Sequence, residues 1–302
     1  MLQRRTDLAV EARELWGSRA EAAGELRGVK TREGEREGFP VTRVDILDSR
    51  GAEALGKPRG SYVTLELSGL AEREEGALSR AARAVAAELA ALLGDLAPSD
   101  PVLVVGLGNR AITPDAVGPR TADFTLVTRH LVEAEPERFR AFRPVAALAA
   151  GVLGTTGVES GELVRAVADK LHPARVVAVD ALASRSLSRL CRTVQIADTG
   201  IVPGSGVGNH RCALNRETIG VPVIAVGVPT VVDAATLCAD VLAEAGRGEL
   251  DPQALGDAGQ GIIVTPRDID SGVADLARVL GYGISLALQP GLELEDVELL
   301  TG

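Results

Sequence analysis

Three short, unbroken aliphatic runs constrain this chain more than anything else in it: Val102-Leu103-Val104-Val105, Val176-Val177-Ala178-Val179 and Val223-Ile224-Ala225-Val226. A strand with one wet face alternates apolar and polar residues, so runs of this kind call for strands covered on both faces. Helix-period segments separate them. The spacing predicts helices over 79–93, near 120–133, over 161–171, 232–244 and 268–288, and further strands at Val145 to Ala150 and Val194 to Ala197. Such alternation implies an α/β fold, a mostly parallel sheet flanked by helices. With only 2% aromatic residues, the core must be filled by Val, Leu, Ile and Ala.

The first part of the chain has another texture. Thr42 to Leu47 and Tyr62 to Leu67 alternate in the manner of half-exposed strands, with turn chemistry between them at Gly56-Lys57-Pro58-Arg59-Gly60. The charged run from Lys30 to Glu37 suits a solvated connector or hairpin. A small antiparallel β elaboration over about 8–75 is therefore expected on a single α/β domain spanning 8–302. The polar, glycine-rich stretch from Gly246 to Gly261 suits a surface loop.

Several function classes lose ground on composition. A net charge of −10 and the lack of a basic run disfavour nucleic acid. Three cysteines without CxxC spacing disfavour a disulfide framework. The N-terminus has no apolar core of a secretory signal, and the longest apolar stretch, Gly220 to Val232, is broken by Pro222, Gly227 and Pro229. A cytoplasmic protein without a membrane segment is expected.

In open α/β sheets, functional residues gather beyond the carboxyl ends of the strands. Here that rule collects Asn109, Asp115, Glu159, Asp180, Asp198 and Asp233. Histidine is scarce: His130 and His172 fall in or at the end of helices, and only His210 borders a glycine-rich loop. Neither HExxH nor GxSxG occurs. Gly106-Leu107-Gly108 has Ala111 where a dinucleotide fingerprint needs glycine, and Gly204 to Asn209 lacks the Lys-Ser/Thr of a P-loop. Both read as tight turns whose N–H groups could face a carbonyl. Two acids have unusual settings: Asp115, between Pro114 and Pro119, and Asp198, in Asp198-Thr199-Gly200. A helix cap for the first and a turn for the second account for them equally well.

Longer motifs carry a resemblance. They are Arg5-Thr6-Asp7-Leu8-Ala9-Val10-Glu11, Val105-Gly106-Leu107-Gly108-Asn109, Thr113-Pro114-Asp115-Ala116-Val117-Gly118-Pro119, Thr128-Arg129-His130-Leu131 and Val179-Asp180-Ala181-Leu182-Ala183. The run from Asp198 to Asn209, Gly220 to Ala234 and Val264-Thr265-Pro266 continue the series. In this order they cover nearly the whole chain, which resembles the spore germination protease family, endopeptidases that degrade small acid-soluble spore proteins in endospore-forming bacteria.

The resemblance implies an atypical aspartic-type peptidase without a cofactor or bound metal, on a fold similar to hydrogenase-maturation proteases, with Asp115 and Asp198 as the catalytic pair. Gly106, Gly108, Asn109, Gly204, Ser205, Gly206 and Asn209 are then candidate oxyanion and substrate contacts, and Glu159, Asp180 and Asp233 possible supporting acids. It also implies a zymogen that removes residues 1–7 itself by cutting between Asp7 and Leu8, a homotetramer, a place in the forespore or spore core, and small acid-soluble spore proteins as partners. Other readings are a metal peptidase with Asp115, Asp198 and His210 as ligands, a nucleotide- or phosphate-binding protein using the glycine loops, and a non-catalytic spore protein.

Overall fold

The structure is a computed structural model that describes residues 6–20, 26–204, 211–246 and 262–301. The N-terminal region holds α1 (Ala9–Ala20), β1 (Val29–Arg36), β2 (Phe39–Ile46), α2 (Ser49–Leu55) and β3 (Gly60–Glu66). Next come α3 (Ser68–Ala71), α4 (Ala77–Leu93), β4 (Val102–Leu107), α5 (Val117–Asp123), α6 (Arg129–Ala134) and β5 (Val145–Gly151). Then follow α7 (Leu153–Thr156), α8 (Ser160–Leu171), β6 (Arg175–Ser184), β7 (Thr193–Ala197) and α9 (Arg216–Ile219). The chain closes with β8 (Val223–Asp233), α10 (Ala234–Glu244), β9 (Ile263–Val264), α11 (Ile269–Leu288) and α12 (Leu294–Thr301).

The aliphatic runs are buried on both faces. Val102 and Val104 of β4, Val177 and Val179 of β6, and Ile224 and Val226 of β8 enter one core with α4 and α11. Their neighbours Leu103, Val105, Val176, Ala178 and Val223 enter a second core under α8, with Val164 and Ala168. Successive side chains of a strand point to opposite faces, so a continuous run serves two cores at once.

The described strands form one sheet of order β1-β2-β3-β7-β8-β6-β4-β5, with β9 paired to β8. The fold is α/β, but the expectation of a mostly parallel sheet is corrected. Only β4–β5, β4–β6 and β6–β8 are parallel. The pairs β1–β2, β2–β3, β3–β7, β7–β8 and β8–β9 are antiparallel. The link between β6 and β7 holds only the short 3-10 turn Leu187–Arg189. A parallel crossover takes about a dozen residues or more. The chain therefore reverses into β7, and β7 carries the antiparallel N-terminal strands onto the edge of the parallel block.

That N-terminal layer matches its expected texture: the charged run from Lys30 is the exposed arm of a β1–β2 hairpin, an edge strand whose charge discourages further pairing. It differs in that α1 and α2, which the sequence pattern does not suggest, cover β2 and β3 with Ala9, Trp16 and Leu55 against Val44, Ile46 and Tyr62. The helix expected near 120–133 is two short helices. Between them the buried Thr128 hydroxyl donates to the Arg143 carbonyl at 2.5 Å and accepts Val145 N–H at 3.0 Å, pinning the break to β5.

One close approach sets the position of α5. A Cβ on Gly118 would lie 2.2 Å from the Leu107 carbonyl oxygen and 2.5 Å from that of Val179. Glycine there lets the first turn of α5 rest directly on the ends of β4 and the middle of β6. The segment just before it, which carries Asp115, is thereby held over the carboxyl ends of the parallel strands.

Candidate active site

Asp115 ends the 3-10 turn Thr113–Asp115 that follows β4. Its carboxylate folds back to accept Asn109 N–H on Oδ2 at 2.7 Å. Gly108 makes the loop possible: its φ is +109°, and a Cβ there would lie 2.1 Å from the Asp115 carbonyl oxygen. Asp180 lies within β6 rather than after it, opposite Gly227 of β8, and is 5% exposed. Its Oδ1 accepts Ala181 N–H at 2.9 Å.

Both carboxyls line one cavity of about 340 Å³, together with Asp7, Gly108, Ser160, Arg211 and Thr230. Their electrostatic settings differ. Burial raises the Asp115 pKa above its ordinary value, while the Asn109 N–H and the Arg211 charge pull it back. Asp180 is pushed well above the ordinary carboxylate range, first by burial and then by the charge of Asp115, with Asp7 adding to it. Two carboxyls that repel one another in a desolvated site cannot both ionise freely, so the pair tends to hold one proton. The donors around Asp115 favour the charge there; the deeper burial of Asp180 favours the proton.

Asp198, the other acid singled out in the sequence, is placed elsewhere. It is exposed and accepts Ser61 N–H on Oδ1 at 2.8 Å, and it is absent from the described residues lining the acid cavity. Because β7 is antiparallel to β8, the pairs Ala197–Ala225 and Gln195–Gly227 send Asp198 toward the end where β8 begins. Asp115 and Asp180 sit toward the opposite end. A single metal ion bridging Asp115 and Asp198 finds no support in that placement.

The remaining candidates divide. Gly108 and Gly204 line the acid cavity, Gly106 packs against Gly118, and Asn109 spends its N–H on Asp115. Glu159 precedes α8 without a side-chain capping bond, and its neighbour Ser160 reaches the cavity instead. Asp233 caps α10, accepting Thr236 N–H at 3.0 Å and its hydroxyl at 3.2 Å. Ser205, Gly206, Asn209, His210 and most of the stretch from Gly246 to Gly261 lie outside the described residues. Among the described residues no three His, Cys, Asp or Glu side chains form a metal-holding group, and no helix is long and apolar enough to cross a membrane. Phosphate is a poor fit for the Gly106–Asn109 loop, whose Asn109 N–H already faces a carboxylate.

The N-terminal segment runs into the same cavity. Asp7 N–H donates to the Ala183 carbonyl at 3.0 Å, and Ala183 N–H donates to Asp7 Oδ2 at 2.9 Å. Behind it Leu8 is fully buried, and the Glu11 carboxylate accepts Arg185 N–H at 2.7 Å and Ser186 N–H at 3.0 Å. Thr6 also hydrogen-bonds Glu11. Asp7 thus borders the cavity that holds Asp115 and Asp180, with Leu8 buried behind it. Arg211 and the main chain of Ala183 are site members that the sequence did not suggest; nothing in their local pattern sets them apart.

Comparison with known proteins gives concordant matches. The family model described as germination protease matches residues 9–248. A germination protease of Caldanaerobacter subterraneus subsp. tengcongensis is 45% identical, over 98% of this chain and 97% of its own. One from Clostridium perfringens is 43% identical over 97% of each chain. One from Bacillus mycoides is 35% identical over 98% of this chain and 96% of its own.

Proposed function

The chain belongs to the germination protease family, and from that premise we propose that it is an endopeptidase whose water-activating pair is Asp115 and Asp180. The observation that carries this reading is that the two carboxyls share one cavity, with their tendencies to ionise pulled apart. Asp115, the better stabilised anion, takes a proton from water as it attacks a peptide carbonyl. Asp180, the protonated partner, donates to the leaving nitrogen. Asp198 then belongs to the turn that follows β7, where it accepts Ser61 N–H of β3, and not to the chemistry.

The substrates are small acid-soluble spore proteins, cut after an acidic residue that precedes an apolar one. Thr6-Asp7-Leu8-Ala9 is a copy of such a site within the chain. Residues 1–7 accordingly act as a propeptide, released by self-cleavage between Asp7 and Leu8, and residues 8–302 form the peptidase domain. Asp7 already borders the cavity, which supports a reaction within one chain. We further carry from the family a homotetramer located in the spore core.

The test is incubation with a small acid-soluble spore protein, with products read by mass. A discrete cut by the wild type, lost in folded Asp115→Asn and Asp180→Asn and kept in Asp198→Asn, is the expected result. Near-wild-type cleavage by folded Asp180→Asn overturns the pair.

A further inference from the structure

Two side chains outside the acid cavity converge on the main chain around the Asp7–Leu8 bond. Lys57 Nζ, from the loop after α2, donates to the Asp7 carbonyl oxygen at 2.9 Å and to that of Thr6 at 3.2 Å. Gln195, buried on β7, donates from Nε2 to the same Asp7 oxygen at 3.2 Å. Its Oε1 accepts Ala9 N–H at 2.7 Å. One amide therefore spans the bond, holding the carbonyl before it and the N–H beyond it.

Asp7 stands where two cavities meet. One contains Asp115 and Asp180; the other, of about 260 Å³, is lined in part by Lys57 and Gln195. The Asp7 side chain is tied to Ala183 and adds to the field on Asp180, while its carbonyl oxygen points to Lys57 and Gln195. Hydrolysis needs this division: a water activated on one side of the carbonyl carbon and donors already in place for the oxygen that gains charge. A main-chain carbonyl oxygen has two lone pairs. On the Asp7 oxygen both are taken, by a half-buried cation that also reaches the Thr6 oxygen and by a buried amide.

We propose that Lys57 and Gln195 form the oxyanion site of this peptidase, first for its own Asp7–Leu8 bond and then for the substrate bond that takes its place. This rests on the Asp115–Asp180 reading. Water loses a proton to ionised Asp115 as its oxygen bonds to the Asp7 carbonyl carbon. The carbonyl π pair moves onto oxygen, where Lys57 and Gln195 hold the charge. The C–N bond then breaks as the carbonyl reforms, and the leaving Leu8 nitrogen takes its proton from Asp180. Asp7 gains a carboxyl group, Leu8 a free amine, and the pair has exchanged its proton.

The experiment uses the full chain, followed for self-cleavage by intact mass, and the cleaved form, assayed on a peptide copying residues 1–14. Lys57→Met is expected to slow both reactions by about 10²–10³-fold, the loss falling in kcat rather than KM. Lys57→Arg, which keeps the cation, is expected to recover at least about tenfold of it. Gln195→Glu keeps the side-chain shape but replaces the donor with an acceptor, and its folded fraction is expected to lose kcat as well. Wild-type kcat in folded Lys57→Met, or a loss confined to KM or Tm, overturns the proposal. Asp115→Asn and Asp180→Asn run in parallel separate the two readings. If they are dead while Lys57→Met is active, only the oxyanion site falls; if they are active, the acid pair falls and this proposal with it.

Discussion

Asp180 follows the run Val176 to Val179 and Asp198 follows the strand Val194 to Ala197, and their surroundings could hardly differ more. Asp180 is buried beside Asp115 and its carboxyl is driven toward the protonated form. Asp198 is exposed and satisfied by Ser61 N–H. Strand direction makes the difference. β6 is parallel to β4, so its acid meets the loop that leaves β4. β7 is antiparallel to β8, so its acid is delivered to the other end of the sheet. The rule that function gathers at strand carboxyl ends holds within the parallel block and fails at its border.

The largest expected effect tests that contrast directly. Asp180→Asn should reduce kcat by about 10²–10⁴-fold, the range for removing a general acid. Asp198→Asn should stay within about threefold of wild type in the same peptide assay, since an exposed turn acid adds little to a distant proton transfer. Equal losses in the two variants would erase the distinction.

Next in size is Gly118→Ala. Its Cβ would meet two backbone oxygens, of Leu107 and Val179, which cannot move aside as a side chain could. A destabilisation of about 3 kcal/mol or more is expected in urea unfolding. The residual folded protein should lose activity as well, because displaced α5 carries Asp115 away from Asp180. Gly220→Ala, whose Cβ would meet nothing within 4 Å, is the matched control on the Asp198 side of the chain; its φ of +88° confines the cost to backbone strain.

How much of this was legible in the sequence follows from what each feature leaves there. Burial on two faces is written as an unbroken run, so β4, β6 and β8 could be read directly. The direction of a strand leaves no local mark, so Val194 to Ala197 gave the strand but not its antiparallel pairing. α1 was missed because few of its residues, Ala9, Val10 and Leu15 among them, form its buried face, too sparse for a clear helical period. Asp180 was collected as an acid closing a strand, although β6 continues to Ser184 through Leu182 and Ala183. What singles it out is Asp115 across the cavity, 65 positions earlier in the chain, and only the fold brings the two together.

A smaller effect concerns the pH dependence that Asp180 gives the fold. Asp180 has its folded-state pKa raised, so its neutral form is the one the fold favours. Its contribution to stability is fully present below the unfolded pKa of about 4 and is lost as pH rises through the folded value. Asp180→Asn removes that loss. It should therefore stabilise the protein at pH 7, on the order of 1 kcal/mol, while matching wild type below about pH 4. Thermal unfolding across this range checks it, and a variant less stable than wild type at pH 7 would contradict the assigned burial.

The smallest expected effect is at Asp198 itself. Its bond to Ser61 N–H joins β7 to β3 at the surface, where water replaces a lost acceptor at little cost. Asp198→Asn keeps an acceptor oxygen for that N–H and should change stability by less than about 0.5 kcal/mol. Asp198→Ala removes the acceptor and should cost about 1 kcal/mol, the net worth of one such bond. A loss of several kcal/mol in either variant would mean that the bond between Asp198 and Ser61 is shielded from water rather than exposed, and that the contact between β7 and β3 depends on it.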